Sequence, residues 1–160
     1  TALTEYFVLK DDLQNNNLVN TVIYVQVIDG IINTYHTIGD FTDAIAWLKS
    51  TLEYVESIDG TDYLSGHIQN NIGVCYLRLN DPRSAMPYFI NNKSILEKLE
   101  MTESIDFSLV LHNIGRSYML LGNNEKAKEN LLDAKALQIK LNGVVNERTA
   151  QYLNELGIDE

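Results

Sequence analysis

Two asparagine segments of the same pattern are the most prominent polar feature of the sequence. Residues 71–76 and 113–118 both read Asn-Ile-Gly-x-x-Tyr, and they lie 42 residues apart. An asparagine side chain offers one acceptor and two donor hydrogens, so it can pair with both polar groups of a peptide unit. A row of them is suited to holding an extended chain by its backbone. Alternatively, these asparagines bond neighbouring helices to each other and stiffen the fold.

Two arginines stand near these segments in a strongly acidic chain. The formal net charge is −10, which disfavours a nucleic-acid partner because phosphate backbones are repelled. The charge favours a basic or neutral partner, or it serves solubility alone. Arg78 and Arg116 are suited to capturing a carboxylate, either from a partner or from one of the 22 acidic residues of the chain itself.

The three histidines and the cysteine are candidates for pH-dependent or metal chemistry. His36, His67 and His112 have no metal-ligand spacing, and solvated single histidines are the commoner case. Cys75 lies in an apolar run and is expected to be a small buried side chain on the core face. A single cysteine forms no intrachain disulfide, and with no sign of a signal peptide we expect a cytoplasmic location without metal or cofactor.

Motifs of enzymes and membrane segments are not found in the sequence. It contains no phosphate-binding glycine loop, no His-Glu-x-x-His and no Gly-x-Ser-x-Gly. No apolar run approaches the length of a membrane span. The sequence therefore predicts neither catalysis nor a membrane partner.

The elements that position these residues are predicted to be pairs of helices. Gly73 and Gly115 fall in helical patterns, where glycine costs about 1 kcal/mol relative to alanine. A helix tolerates that cost where another helix approaches closely. Ala85 and Ala127 each follow 12 residues later, beyond a turn. We therefore predict units of helix A, turn and helix B, with small residues meeting where the two helices cross.

The repeated positions resemble the tetratricopeptide repeat. That resemblance implies an all-α fold, a right-handed α-α superhelix of antiparallel helix pairs whose A helices line a concave face. The period here is 41 to 42 residues instead of about 34. The longer period resembles repeats of the kinesin-light-chain type. The matching positions are a small residue (Gly73, Gly115, Gly157), a tyrosine (Tyr35, Tyr76, Tyr118), a turn residue (Gly39, Asn80, Gly122), an alanine (Ala44, Ala85, Ala127) and a large apolar residue (Leu48, Phe89, Leu131).

The predicted organisation is a single solenoid domain over residues 1–160, interpreted as a piece of a longer protein. A helix over 4–16 is predicted to be the helix B of a preceding repeat or a cap. A long helix is expected to begin near Leu18. The predicted units are repeat one (18–57), repeat two (62–99), repeat three (104–142) and the helix A of a partial repeat four (146–157).

The resemblance also implies which residues face the groove. The family's groove-facing positions of helix A, carried over to this sequence, include polar candidates for peptide binding and apolar anchors. Most affinity is expected from the apolar anchors, because each hydrogen bond contributes only about 0.5–1.5 kcal/mol net. The predicted groove residues are Asn33, His67, Asn70, Asn71, Val74, Leu77, Arg78, His112, Asn113, Arg116, Met119 and Asn154.

Three functions are compatible with this pattern. The first is a protein-protein interaction module that binds an extended peptide segment in the concave groove. The second is a structural or dimerisation spacer, either a homodimer through an exposed solenoid end or a stack whose groove is filled by its own chain, for example by residues 4–15. The third is a peptide-sensing module of a larger regulator. The partner in each case is a protein or peptide.

Overall fold

The chain folds into helices joined by short turns. The computed structural model describes residues 1–158, and over that range it contains eight α-helices and no β-strand. The predicted all-α class is confirmed. The helices are α1 (Ala2–Asn15), α2 (Val22–Ile38), α3 (Phe41–Glu56), α4 (Asp62–Arg78), α5 (Pro82–Lys98), α6 (Ile105–Leu120), α7 (Asn124–Asn142) and α8 (Glu147–Glu155).

Side-chain caps explain where several helices begin. Asp40, Asp81 and Asn123 precede α3, α5 and α7, and each accepts a hydrogen bond from the backbone N–H three residues on. Such a bond satisfies one of the free N–H groups at a helix start and contributes about 1 kcal/mol. Each of these caps follows the turn between helix A and helix B, so the turn residues fix where helix B starts.

The helix predicted to begin near Leu18 begins at Val22 instead. The Thr21 hydroxyl accepts from the backbone N–H of Tyr24, which makes Thr21 the N-cap. The preceding Asn17 has a φ of 56°, a left-handed conformation that α-helices do not continue through. The asparagine-rich segment therefore forms a longer turn than the sequence indicated.

Consecutive helices pack side by side, and their apolar faces form a continuous core. The close pairs are α4 with α5 and α6 with α7, while α3 packs on α4 and α5 packs on α6. Helix α1 packs against α2, and α8 packs against α7. Because each helix contacts mainly its neighbours along the chain, the fold is a stack of helix pairs.

The crossing of helix A and helix B differs in detail from the prediction. A Cβ atom on Gly73 would lie 2.6 Å from the ring of Phe89, and one on Gly115 would lie 2.7 Å from Cγ of Leu131. Each glycine is therefore covered by the large apolar residue of helix B. The backbone oxygen of Ala127, the small residue of helix B, also lies 3.2 Å from the Cβ position on Gly115.

Repeat one lacks this arrangement. Ile32 occupies the place of the glycine, and α2 and α3 approach closely at only a few positions. The space is filled by aromatic side chains: Phe7 of α1 contacts Trp47 edge-on, with a distance of 5.8 Å between ring centroids, and Tyr35 lies 6.5 Å from the same indole. Helix α1 thereby completes the packing of repeat one.

Gly157 lies after the end of a helix, and Pro87 lies inside one. Gly157 was aligned with the close-packing glycines, but it lies after the end of α8 with a φ of 75°, and nothing lies within 4 Å of its Cβ position. It terminates the helix, and that assignment was wrong. Pro87 lies within α5, which continues unbroken from Pro82 to Lys98.

Candidate functional site

A cleft of about 230 Å³ opens between α4 and α6 and extends to the start of α8. We call it the arginine cleft. The A helices α4 and α6 supply most of its walls, and α7, the turn after it and the start of α8 supply the rest. Its lining residues are Asn70, Val74, Arg78, Leu109, His112, Asn113, Arg116, Gln138, Asn146 and Arg148.

Helical spacing brings these residues to one face. Asn70, Val74 and Arg78 lie four residues apart along α4, which places them in one row along the helix. His112 and Arg116 have the same spacing on α6. Six of the twelve predicted groove residues thus line one cleft, namely Asn70, Val74, Arg78, His112, Asn113 and Arg116.

The asparagines connect the two A helices. The Nδ2 group of Asn113 donates to Oδ1 of Asn70 across 3.0 Å, which links α6 to α4. Asn71 donates to the carbonyl of His67 within its own helix, also at 3.0 Å. The interhelical bond therefore joins Asn113 to Asn70 and not to Asn71, and it uses one donor of Asn113 and one acceptor of Asn70. Both side chains retain further donors or acceptors, and both residues line the cleft.

The arginines of the cleft have no carboxylate partner among residues 1–158. Every ion pair over that range uses a lysine or a histidine as the cation. Arg78 and Arg148 are exposed, and Arg116 is half-buried. Arg148 was not predicted as a groove residue, because the carried-over positions start further along helix A. The sequence feature that could have identified Arg148 is its position in the first turn of the last helix, one turn before Tyr152.

His112 is buried where α6 meets α8. Its Nδ1 lies 2.8 Å from the hydroxyl of Thr149, and its ring lies 5.4 Å from that of Tyr152. Burial, together with the smaller effect of the positive charges of Arg116 and Arg148, lowers the pKa of His112 to about 4. The imidazole is neutral at pH 7 and adds no charge to the cleft.

A smaller cleft of about 20 Å³ adjoins the first on the same face. It includes His67, whose Nε2 lies 2.7 Å from Oδ1 of Asp29 on α2. It also includes Tyr63, whose hydroxyl donates to Asp106 at 2.9 Å. Burial raises the pKa of Tyr63 to about 12, and the bond to Asp106 acts in the same direction. These pairs join successive A helices and fix their spacing.

His36 and Cys75 do not form a reactive site. Cys75 is fully buried, as expected, and its Sγ lies 3.8 Å from Nε2 of His36. Burial raises the pKa of the thiol to about 11, so the nucleophilic thiolate is scarce at neutral pH. Among residues 1–158 no group of three or more histidines, cysteines or carboxylates is arranged to hold a metal ion.

The other predicted groove residues lie elsewhere. Leu77 was predicted to be an apolar anchor, but only 3% of it is exposed and it belongs to the core formed with Phe89 and Leu111. That prediction was wrong, because the α4 face at Leu77 turns toward helices α5 and α6. Met119 is half-buried against the core beneath α8. Asn33 and Asn154 are exposed and line neither cleft.

Comparison with known proteins identifies the repeat. Residues 109–138, which span most of α6 and α7, match the family model described as "Tetratricopeptide repeat". This match identifies one tetratricopeptide repeat within the chain, and the stacked helix pairs described above have the fold of such repeats. Curated protein sequences give no match.

Solved structures show the same fold at low sequence identity. The crystal structure of BtubC (BKLC) from P. vanneervenii is 17% identical, with a TM-score of 0.80, over 98% of this chain and 63% of that one. The kinesin light chain nearly identical TPR-like repeats of Podosopora anserina are 15% identical, with a TM-score of 0.69, over 83% of this chain and 64% of that one. The chain therefore spans less than two thirds of the length of these structures, and the likeness concerns the fold.

The fold defines a broad functional class. Tetratricopeptide-repeat solenoids are protein-protein interaction modules that bind proteins or peptides, and such scaffolds are typically not enzymes. Within residues 1–158, no helix is both long and apolar enough to cross a bilayer.

Proposed function

We propose that this chain binds an extended segment of another protein along the face lined by α4 and α6. The observation that carries the proposal is the arginine cleft itself, which combines amide, guanidinium and apolar side chains from successive repeats. Asn70 and Asn113 present hydrogen-bonding groups toward a peptide backbone, and Val74 and Leu109 provide apolar contacts. A peptide with alternating side-chain directions can use both kinds of group at once.

The hydrogen bond between Asn70 and Asn113 is relevant to the alternative in which the asparagines only stiffen the fold. It joins neighbouring A helices, as that alternative expects. It also holds both side chains at a fixed position beside the cleft, which lowers the entropic cost of binding a ligand. We therefore assign to Asn70 and Asn113 both a structural role and a role in peptide binding. Asn71 bonds only within α4.

The spacer alternative predicts that the chain fills its own groove. Helix α1 was the candidate for this, but it packs on α2, where the ring of Tyr6 covers Gly30. No residue of α1 lines either of the two clefts on the A-helix face. This packing supports an accessible peptide site at the two clefts, although α1 covers part of helix A in repeat one. The expected homodimer and the expected cytoplasmic location are both compatible with this proposal.

A capture experiment with matched variants tests the proposal. Wild-type chain, an Asn70→Ala/Asn113→Ala variant and an Asn91→Ala/Asn130→Ala control would be immobilised and exposed to the same cell extract. The control pair lies on the B helices α5 and α7, away from both clefts. Melting curves would first establish how far each pair changes stability, since the first pair also contributes an interhelical bond.

The proposal requires that the cleft variant loses captured proteins that the control keeps. Loss of about two hydrogen bonds corresponds to a tenfold or larger decrease in affinity. A captured protein would then be cut into overlapping peptides, and one of them should bind the wild-type chain in solution with the same dependence on Asn70 and Asn113. Equal capture by all three chains would contradict the proposal.

A further inference from the structure

The charges of the chain are distributed unevenly around the arginine cleft. Three of the four arginines of the chain line it, namely Arg78, Arg116 and Arg148. Within residues 1–158, no acidic residue is among its lining residues. A random surface of so acidic a protein would place carboxylates beside its arginines. The cleft is therefore a basic site in an acidic molecule.

The positive charge of the cleft is not compensated from within the described part of the chain. The three guanidinium groups carry a charge at every physiological pH, and no carboxylate of residues 1–158 pairs with them. The pKa of His112 reflects these positive charges, because Arg116 and Arg148 lower it in addition to the effect of burial. Like charges that converge on one cavity repel each other, and a bound anion would relieve that repulsion.

The arrangement of donors suits an anion with more than one charge. A carboxylate carries one negative charge on two oxygens, which one arginine can satisfy in a bidentate pair. A phosphomonoester carries a charge of about −1.5 to −2 at pH 7 and three acceptor oxygens. Three arginines, with the amides of Asn113 and Asn146 beside them, supply more positive charge and more donors than one carboxylate uses, and they suit the second anion better.

The shape of the cleft indicates where such a phosphate comes from. The cleft is a concave space of about 230 Å³ between helices, and Val74 and Leu109 line it beside the arginines. A flat lipid surface does not enter a recess of this kind, whereas a single side chain does. The apolar walls fit the carbon atoms that connect a phosphate to a peptide backbone.

We propose that the arginine cleft recognises a phosphorylated serine or threonine side chain in the extended segment bound by this face. The inference rests on the proposed peptide-binding function and deepens it by naming the side chain that the cleft selects. Binding of the segment would then depend on its phosphorylation state.

Three peptide libraries test the inference with the full chain. Each library contains nine-residue peptides with random flanks and a fixed central residue, which is phosphoserine, serine or glutamate. Retention would be measured on wild-type chain, on Arg116→Gln/Arg148→Gln and on the matched control Arg83→Gln. Arg83 is the remaining arginine and lies on α5 outside the cleft.

The inference requires that wild-type chain and the Arg83→Gln control enrich the phosphoserine library about tenfold or more over both others, as charge-assisted hydrogen bonds provide. The cleft variant should lose that enrichment. Equal retention of the phosphoserine and glutamate libraries would overturn it, because the cleft would then read acidity alone. Enrichment that survives in the cleft variant would also overturn it.

The Asn70→Ala/Asn113→Ala variant separates this inference from the proposed function. If peptides of all three libraries bind equally and are lost only in the asparagine variant, the phosphate inference fails and the peptide groove stands. If no library binds the wild-type chain, both fail. Inorganic phosphate provides a second measurement: it should raise the melting temperature of the wild-type chain and of the Arg83→Gln control, but not that of the cleft variant.

Discussion

Repeat one and the two repeats that follow it differ in the side chains at the crossing of helix A and helix B. In repeats two and three a glycine of helix A lies under a large residue of helix B, Phe89 or Leu131. Repeat one has Ile32 and Leu48 at these positions, and both are buried. Two branched side chains require more space between the helix axes than a glycine and one large side chain do.

This difference affects how each repeat is stabilised. Repeats two and three form compact pairs whose close contacts lie within the pair. Repeat one depends on α1, since Leu3, Tyr6 and Phe7 pack against its core. A glycine in a helix costs about 1 kcal/mol in local stability, but it allows the pair to be complete without a third helix. We therefore expect substitutions at the crossing to have different effects in the two regions.

Removal of the Phe89 ring is expected to have the largest effect. The ring is fully buried and lies on Gly73, so Phe89→Ala leaves a cavity and should lower the free energy of unfolding by about 3–5 kcal/mol. The matched variant Leu48→Ala in repeat one should cost about 2–4 kcal/mol, because a smaller side chain is lost. Chemical denaturation of both variants measures the difference. An equal or larger loss in the Leu48→Ala variant would contradict the proposed contrast.

The largest contribution of a histidine to acid sensitivity is expected from helix A of repeat three. The equivalent positions in the three repeats hold Asp29, Asn70 and His112, and only His112 is buried. Its pKa is about 4 in the folded chain and about 6.5 in the unfolded chain, so the unfolded chain binds the proton first as pH falls. Stability should be unaffected above pH 6.5 and should decrease by about 3 kcal/mol as pH falls through 4.

The variant His112→Gln isolates this contribution. Its free energy of unfolding should fall less steeply between pH 6.5 and pH 4 than that of the wild-type chain. Denaturation at a series of pH values provides the measurement. If His112→Gln and wild-type chain show parallel curves, the contact between α6 and α8 is not the acid-sensitive element.

A single methyl group at two glycines should have the smallest effects, and these should differ in size. At Gly73 the new Cβ would lie 2.6 Å from a buried ring, and overpacking of about 1–3 kcal/mol should exceed the gain of about 1 kcal/mol in helix propensity. At Gly30 the Cβ would meet the ring of Tyr6 at 2.4 Å, but Tyr6 is half-buried and can move.

Gly73→Ala should therefore destabilise the chain by up to about 2 kcal/mol, and Gly30→Ala should change stability by less than about 1 kcal/mol. Thermal melting resolves this difference, since 1 kcal/mol shifts the midpoint by about 2–4 °C in a chain of this size. In a Phe89→Ala background the Gly73→Ala change should become neutral or stabilising. A cost that is the same with and without the ring would show that Phe89 does not restrict Gly73.

The fold could be predicted because it depends on residues that repeat. Gly73 and Gly115, with the turn residues between the helices, define a period that few other folds share. The start of α2 was misplaced because the asparagine-rich turn continues to the Thr21 cap, and a hydroxyl cap of that kind is common in sequences that form no helix. Gly157 was misassigned because the same residue type serves close packing inside a helix and termination after it.

The site was predicted only in part, because side-chain direction depends on the helices that surround it. Arg78 and Arg116 were identified from their positions in helix A, and both line the cleft. Leu77 stands next to Arg78 in the sequence and is buried, since the following pair of helices covers its side of α4. Arg148 and Asn146 could not be identified, because they reach the cleft only through the way α8 docks onto α6 and α7.

The docking of α8 also makes ligand binding at the cleft depend on the folding of the last helix. At nine residues it is too short to be stable alone, so its helical state depends on contacts such as that of Thr149 with His112. Because Arg148 belongs to this helix, a ligand that requires all three arginines binds only molecules in which α8 is docked. Its apparent dissociation constant equals the intrinsic one divided by the docked fraction. Affinity would then be set partly by the population of a helix whose own sequence is mostly exposed to solvent.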